Sequence, residues 1–86
     1  MKKIIECEDQ EGLDSLLGQV VTLFCMNYFY TGKLVGVNTT CVKLENPKIV
    51  YETGEFGNKD WKDAQALPKK YWYVQIVAIE SFGEMK

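Results

Sequence analysis

Eighty-six residues, 47% hydrophobic and 26% charged, describe one ordinary globular domain and exclude a disordered or fibrous chain. A net charge of −2, a sequence pI of about 5.0 and ten cations that are all Lys argue against a generic charge-driven nucleic-acid binder. The absence of Arg removes any bidentate guanidinium clamp on phosphate or guanine.

No apolar run reaches the ~18 residues of a membrane span, and Met1-Lys2-Lys3 is followed by only two apolar residues, so a cytoplasmic protein without membrane contact is expected. Residues 1–8, with Ile4 and Ile5 as their apolar core, are expected to form an N-terminal arm or a short extra strand. Residues 9–17 predict a short helix: Leu13, Leu16 and Leu17 make one apolar stripe, Glu8, Asp9 and Glu11 suit the positive end of its dipole, and Gly18 stands where a left-handed cap belongs. Gly12 weakens that helix, which therefore depends on docking through its leucines.

After Gly18 the pattern turns to strand. Val20 to Met26 is β-branched and apolar, Asn27 supplies a turn, and Tyr28 to Val37 is a second strand with Gly32 and Gly36 as bulge or bend positions. Asn38-Thr39-Thr40 is a short turn into a third strand, where Val42 and Leu44 share a face. Pro47 must interrupt that ladder or lie on an edge, and Ile49-Val50-Tyr51 resumes the extended pattern. Residues 53–70 read as a long loop, with room for one or two helical turns between Lys59 and Leu67 before Pro68. Tyr71 to Gln75 and Val77 to Phe82 are the last two strands, with Ile76 as a tight junction. The predicted fold is mainly β: a short N-terminal helix and a five-stranded, strongly bent antiparallel small barrel over 19–82, all within a single domain 1–86.

The chain has no His, no GxxxxGK[ST] or GxGxxG loop and no Ser or Cys nucleophile with a recognisable partner. Cys7, Cys25 and Cys41 are widely spaced and odd in number, and read as buried or half-buried thiols. No enzyme, metal site or cofactor is expected.

Leu16-Leu17-Gly18-Gln19-Val20-Val21-Thr22-Leu23 is similar to the L-L-G-x-x-V-x-V/L segment of the Sm-like family, which includes the Sm and LSm proteins and bacterial Hfq. Tyr30-Thr31-Gly32-Lys33-Leu34 resembles the family's aromatic-x-G-x-L segment, and Asn38 falls near its usual Asp. Tyr71–Gln75 and Val77–Phe82 match the last two strands of its second motif, so the likeness covers roughly residues 9–82 and is similar to that of a divergent bacterial or phage-type member.

The resemblance implies a small barrel that assembles into a ring of about five to seven copies of itself. It also implies single-stranded RNA as a ligand, at Asn38, Thr39, Thr40, Lys43, Tyr73 and Gln75. The polar signature departs from the family's. Counted strictly from Gly32, Thr40 takes the family's aromatic position, Cys41 its Met and Val42 its Asn. A register one residue longer puts Val42 for the Met and Lys43 for the Asn, and alternation favours it because Val42 and Leu44 then stay on one face. Neither register supplies an aromatic, and Tyr73-Val74-Gln75-Ile76 stands where the family has Arg-Gly.

The residues give an independent reason for assembly. Tyr71, Trp72, Tyr73, Val74, Ile76, Val77 and Ile79, followed by Phe82, are too many for one small interior, and alternation turns about half of them outward onto a subunit interface. Lys33, Lys69 and Lys70 are further cations for an RNA path, and Trp61 is expected to tuck onto its own domain or to meet a neighbour or ligand. Two functional readings follow: a homo-oligomeric ring that binds single-stranded RNA with altered or weak specificity, and a ring-forming protein-interaction or assembly module without RNA.

Overall fold

Period-2 alternation punctuated by Asn27 and the Asn38–Thr40 turn makes most of the described residues strand. A computed structural model describes residues 12–84. In chain order these form a 3-10 turn (Leu13–Leu16), β1 (Val20–Cys25), β2 (Phe29–Val37), β3 (Cys41–Glu52), β4 (Asp63–Ala66), β5 (Tyr71–Gln75), a second 3-10 turn (Ile76–Ala78) and β6 (Ile79–Glu84). The sheet runs β4-β3-β2-β1-β6, with β5 also on β3, and every pairing is antiparallel.

One face of the sheet makes the main core. Val21, Leu23 and Cys25 of β1 pack with Leu34 of β2, Val42 and Leu44 of β3 and Val74 of β5. Leu13 and Leu16 dock on the same cluster from the first turn, and Tyr30, Val37, Ile76 and Ile79 close its margins. The opposite face carries a smaller apolar patch. Phe24 and Phe29 are cross-strand partners with rings stacked at 4.2 Å, and Phe56, from the segment after β3, lies 6.0 Å from Phe24. Beside them Thr22 and Thr31 are buried, and their hydroxyls find partners: Thr31 donates to the Val21 carbonyl at 2.9 Å, and Thr22 lies 3.4 Å from Thr31. Such a satellite cluster under a long connection lets a thin sheet bury residues on both sides.

β3 is one strand with two outer partners. Its first half, Cys41 to Glu45, pairs with β5, and its second half, Lys48 to Glu52, pairs with β4. The exchange falls at Asn46 and Pro47. Asn46 adopts a left-handed φ of 53°, which Asn tolerates better than most residues. Its N–H donates to the Lys70 carbonyl at 2.8 Å, and the Leu67 N–H donates to the Pro47 carbonyl at 2.9 Å. Proline, lacking a ladder donor, therefore sits where the ladder changes hands, as its position in the sequence requires. Gly32 faces this point: a Cβ there would lie 3.0 Å from the Glu45 carbonyl oxygen and 3.3 Å from Pro47 Cα.

Several expectations change. In its described part the helix over 9–17 is only the 3-10 turn Leu13–Leu16, ended by Gly18 at φ 88°; residues 1–8 and 9–11 lie outside the described residues. So short a segment gains little from helical propagation, and its leucines hold it by packing. The sheet has six strands, not five. Asp63–Ala66, expected as loop or helical turn, is β4, because the second half of β3 offers it a hydrogen-bonding edge. Nor is the sheet closed by hydrogen bonds among the described residues, where β5 pairs only with β3 and β6 only with β1. The last strand begins at Ile79, since Ile76–Ala78 turn as a 3-10 element. None of the helices is long and apolar enough to cross a membrane among the described residues.

Candidate functional site

The β3–β5 ladder sets the geometry of the site. Its pairs are Cys41–Gln75, Val42–Val74, Lys43–Tyr73, Leu44–Trp72 and Glu45–Tyr71. Because side chains alternate, Val42, Leu44 and Val74 turn into the core, while Lys43, Glu45, Tyr71, Tyr73 and Gln75 share the outer face. Lys43 lays its ammonium over the Tyr71 ring at 4.1 Å from the centroid and 5.9 Å from that of Tyr73. Lys70 reaches the same Tyr71 ring at 5.5 Å. Cations at these distances interact favourably with the negative ring faces. Tyr73 is 60% exposed, so its ring is open to a planar partner.

The Asn38–Thr40 turn lies at the end of this ladder. The Asn38 side-chain oxygen accepts from the Thr40 N–H at 2.8 Å, the Cys41 N–H at 2.8 Å and the Thr40 hydroxyl at 3.0 Å. This is an Asx-type turn, in which a short polar side chain organises the backbone two and three residues on. The Thr40 carbonyl accepts from the Ile76 N–H at 2.9 Å, fastening the turn to the end of β5. The structure thus brings Lys43, Tyr73 and Gln75 to one face of the ladder and sets the Asn38–Thr40 turn at its Gln75 end, with Thr39 exposed in that turn. Asn38 is there as an organiser of the turn.

The residues expected at a subunit interface divide. Tyr71 and Trp72 are each 37% exposed, and Val77 is 91% exposed. Val74 is buried opposite Val42, because β5 turns that residue inward to cover the core. Ile76 and Ile79 are half-buried against that same core. Between the tyrosine-rich β5 and the last strand β6, which carries the half-exposed Phe82, no ladder forms among the described residues.

Trp61 is half-buried and lines a groove with Val20, Thr31, Gly32 and Lys48, so it turns toward its own domain. Sequence reasoning did not single out the opposite end of the sheet, where Tyr28, Phe29, Tyr51, Phe56 and Lys62 line an open groove of about 550 Å³. Tyr28 and Tyr51 meet edge to face at 5.6 Å, and Lys62 pairs with Glu52 at 3.3 Å on its rim. The only hint in the sequence is the aromatic run Tyr28-Phe29-Tyr30, which strand alternation alone explains. Two of the three thiols are as expected, Cys25 buried, Cys41 half-buried and both free, while Cys7 lies outside the described residues. Burial, aided by the charge of Glu80, pushes the Cys25 thiol above its ordinary range, and burial does the same to the Tyr30 phenol. No group of three or more His, Cys, Asp or Glu able to hold a metal ion occurs among the described residues. Comparison with protein-family models, curated proteins and solved structures finds no match to this chain.

Proposed function

We propose that this chain is an Sm-like subunit that joins copies of itself edge to edge into a ring and binds single-stranded RNA on the Lys43–Tyr73–Gln75 surface. The observation that carries the reading is the unmatched edges of β5 and β6, which lie apart from the short edge strand β4. β5 and β6 follow one another through a three-residue 3-10 turn, and each pairs with a different strand, leaving one outer edge apiece among the described residues. With β4 set aside as an insertion, β1, β2, β3, β5 and β6 run antiparallel, and the last returns to the first. That order of five strands supports the small-barrel reading drawn from the sequence resemblance. An exposed edge rich in aromatic side chains is an aggregation hazard unless a partner covers it. Two different edges on one chain give a head-to-tail contact, and such contacts close into rings when the rotation allows.

The RNA part rests on an exposed tyrosine flanked by a lysine and a glutamine, beside a polar turn. Stacking on such a ring is tolerant of base identity, and a lone Lys gives charge without geometric selection. Binding that is weak, salt-sensitive and of low sequence specificity is the expected behaviour. Native mass together with the ultraviolet absorbance ratio reports subunit number and bound nucleic acid in one preparation. Titration with short U-rich and A-rich oligonucleotides at low and moderate salt then tests the ligand. Lys43→Ala should weaken binding several-fold, and Tyr73→Ala by roughly 5- to 150-fold, the ~1–3 kcal/mol of a lost stacking partner. A clean monomer would refute the ring, and no binding to either oligonucleotide at low salt would refute the RNA reading.

The assembly-module reading has its own support. The net charge is −2, no Arg is present, and the Asn38 side-chain oxygen is already engaged in its turn. A pulldown that recovers one stable protein partner and no nucleic acid would favour it.

A further inference from the structure

The outer face of the β1–β6 pair carries a hollow, beside the free edge of β6, that the ring reading does not by itself explain. Thr22 and Gly83 face each other across the β1–β6 ladder, as do Phe24 and Ser81. Together with Phe82 they line a hollow of about 210 Å³. Gly83 makes the hollow: a Cβ built there would meet nothing within 4 Å. Its φ is not in the left-handed region, so backbone geometry does not demand glycine at this position. What the missing side chain leaves is a bare patch of strand beside Phe24, and a glycine of this kind is commonly covered by an aromatic ring from the neighbouring strand.

Continuing the sheet beyond β6 with β5 of a second copy supplies that ring. Faces carry through a sheet, so the outer face of β6, with Ser81 and Gly83, meets the outer face of β5, with Tyr71 and Tyr73. A slip of one residue would place these tyrosines opposite inward-facing positions, which the alternation forbids. Of the registers that keep the faces aligned, one also matches charge. With Tyr71 opposite Gly83, Lys70 stands opposite Glu84, Trp72 opposite the half-exposed Phe82 and Tyr73 opposite Ser81. We infer that Gly83 is a receptor for Tyr71 of the adjacent copy, with Lys70–Glu84 as the ion pair that sets the register. The inference rests on the ring reading above and specifies how its joint is made.

The test is the subunit number of the full-length chain by native mass and light scattering over a dilution series, with circular dichroism as the check on folding. Gly83→Leu fills the hollow with no Cβ clash in the subunit, and should weaken assembly at least roughly tenfold, the cost of overpacking a closed contact. Tyr71→Ala in the same chain should restore it by vacating the space. Lys70→Glu and Glu84→Lys, both surface changes, should each weaken assembly roughly two- to fivefold, and the double variant should recover it. Assembly of Gly83→Leu as in the wild type, or failure of Tyr71→Ala to restore it, overturns the inference while leaving the ring intact. Should Gly83→Leu not fold, the charge exchange decides, and a double variant no better than the singles overturns the register. A monomeric wild type overturns the ring reading and this joint together.

Discussion

Replacing Asn38 with Ala removes one oxygen that holds the entire β2–β3 turn. Three bonds converge on it, from the Thr40 N–H and Cys41 N–H at 2.8 Å each and from the Thr40 hydroxyl at 3.0 Å. The turn is exposed, so water takes over the freed donors, and each bond counts for its net worth of about 0.5–1 kcal/mol at most. The hydroxyl bond is the most easily replaced, which leaves a loss of about 1–2 kcal/mol, similar to that of removing a helix cap. In a domain this small that is a fall in Tm of roughly 4–16 °C. The Thr40 carbonyl holds the Ile76 N–H, so loosening the turn also loosens the end of β5. Asn38→Asp keeps an acceptor in the same place and should lie within about 0.5 kcal/mol of the wild type. Urea unfolding followed by tryptophan fluorescence measures both variants, and oligonucleotide titration under conditions where each is folded separates turn from ligand. An Ala variant as stable as the wild type but deficient in binding would refute the structural role and make Asn38 a direct contact.

Gly32→Val drives branched carbons into the Glu45 carbonyl and Pro47 backbone, at 3.0 and 3.3 Å from its Cβ, which cannot swing aside as a side chain would; denaturant unfolding should show a loss of about 1–3 kcal/mol or more. The alkaline limb of stability should follow Cys25 and Tyr30. Both are raised in the folded state from ordinary values of 9.0 and 10.0, so their contribution is complete below pH 9 and is lost as pH rises through the folded values. Unfolding midpoints across pH 7 to 11 check this, and a Cys25→Ala chain should retain only the portion of the decline that begins near pH 10.

Much of this protein is legible in its sequence, because strand alternation is a local property. The inward pair Val42 and Leu44, the outward Lys43, the Asn38–Thr40 turn, the tight junction at Ile76 and the break at Pro47 all follow from spacing and residue type. The tertiary structure decided the rest, because a strand's partners depend on contacts between distant segments. Asp63-Ala64-Gln65-Ala66 has no strand pattern of its own and becomes β4 because the far half of β3 is there to pair with it. Val74 looked like one more residue of an aromatic surface until its place opposite Val42 turned it into the core. The same holds for the candidate site. Lys43 lies about thirty residues of chain before Tyr73 and Gln75, and only the antiparallel register of β3 and β5, whose hydrogen bonds fix which residue faces which, sets it beside them.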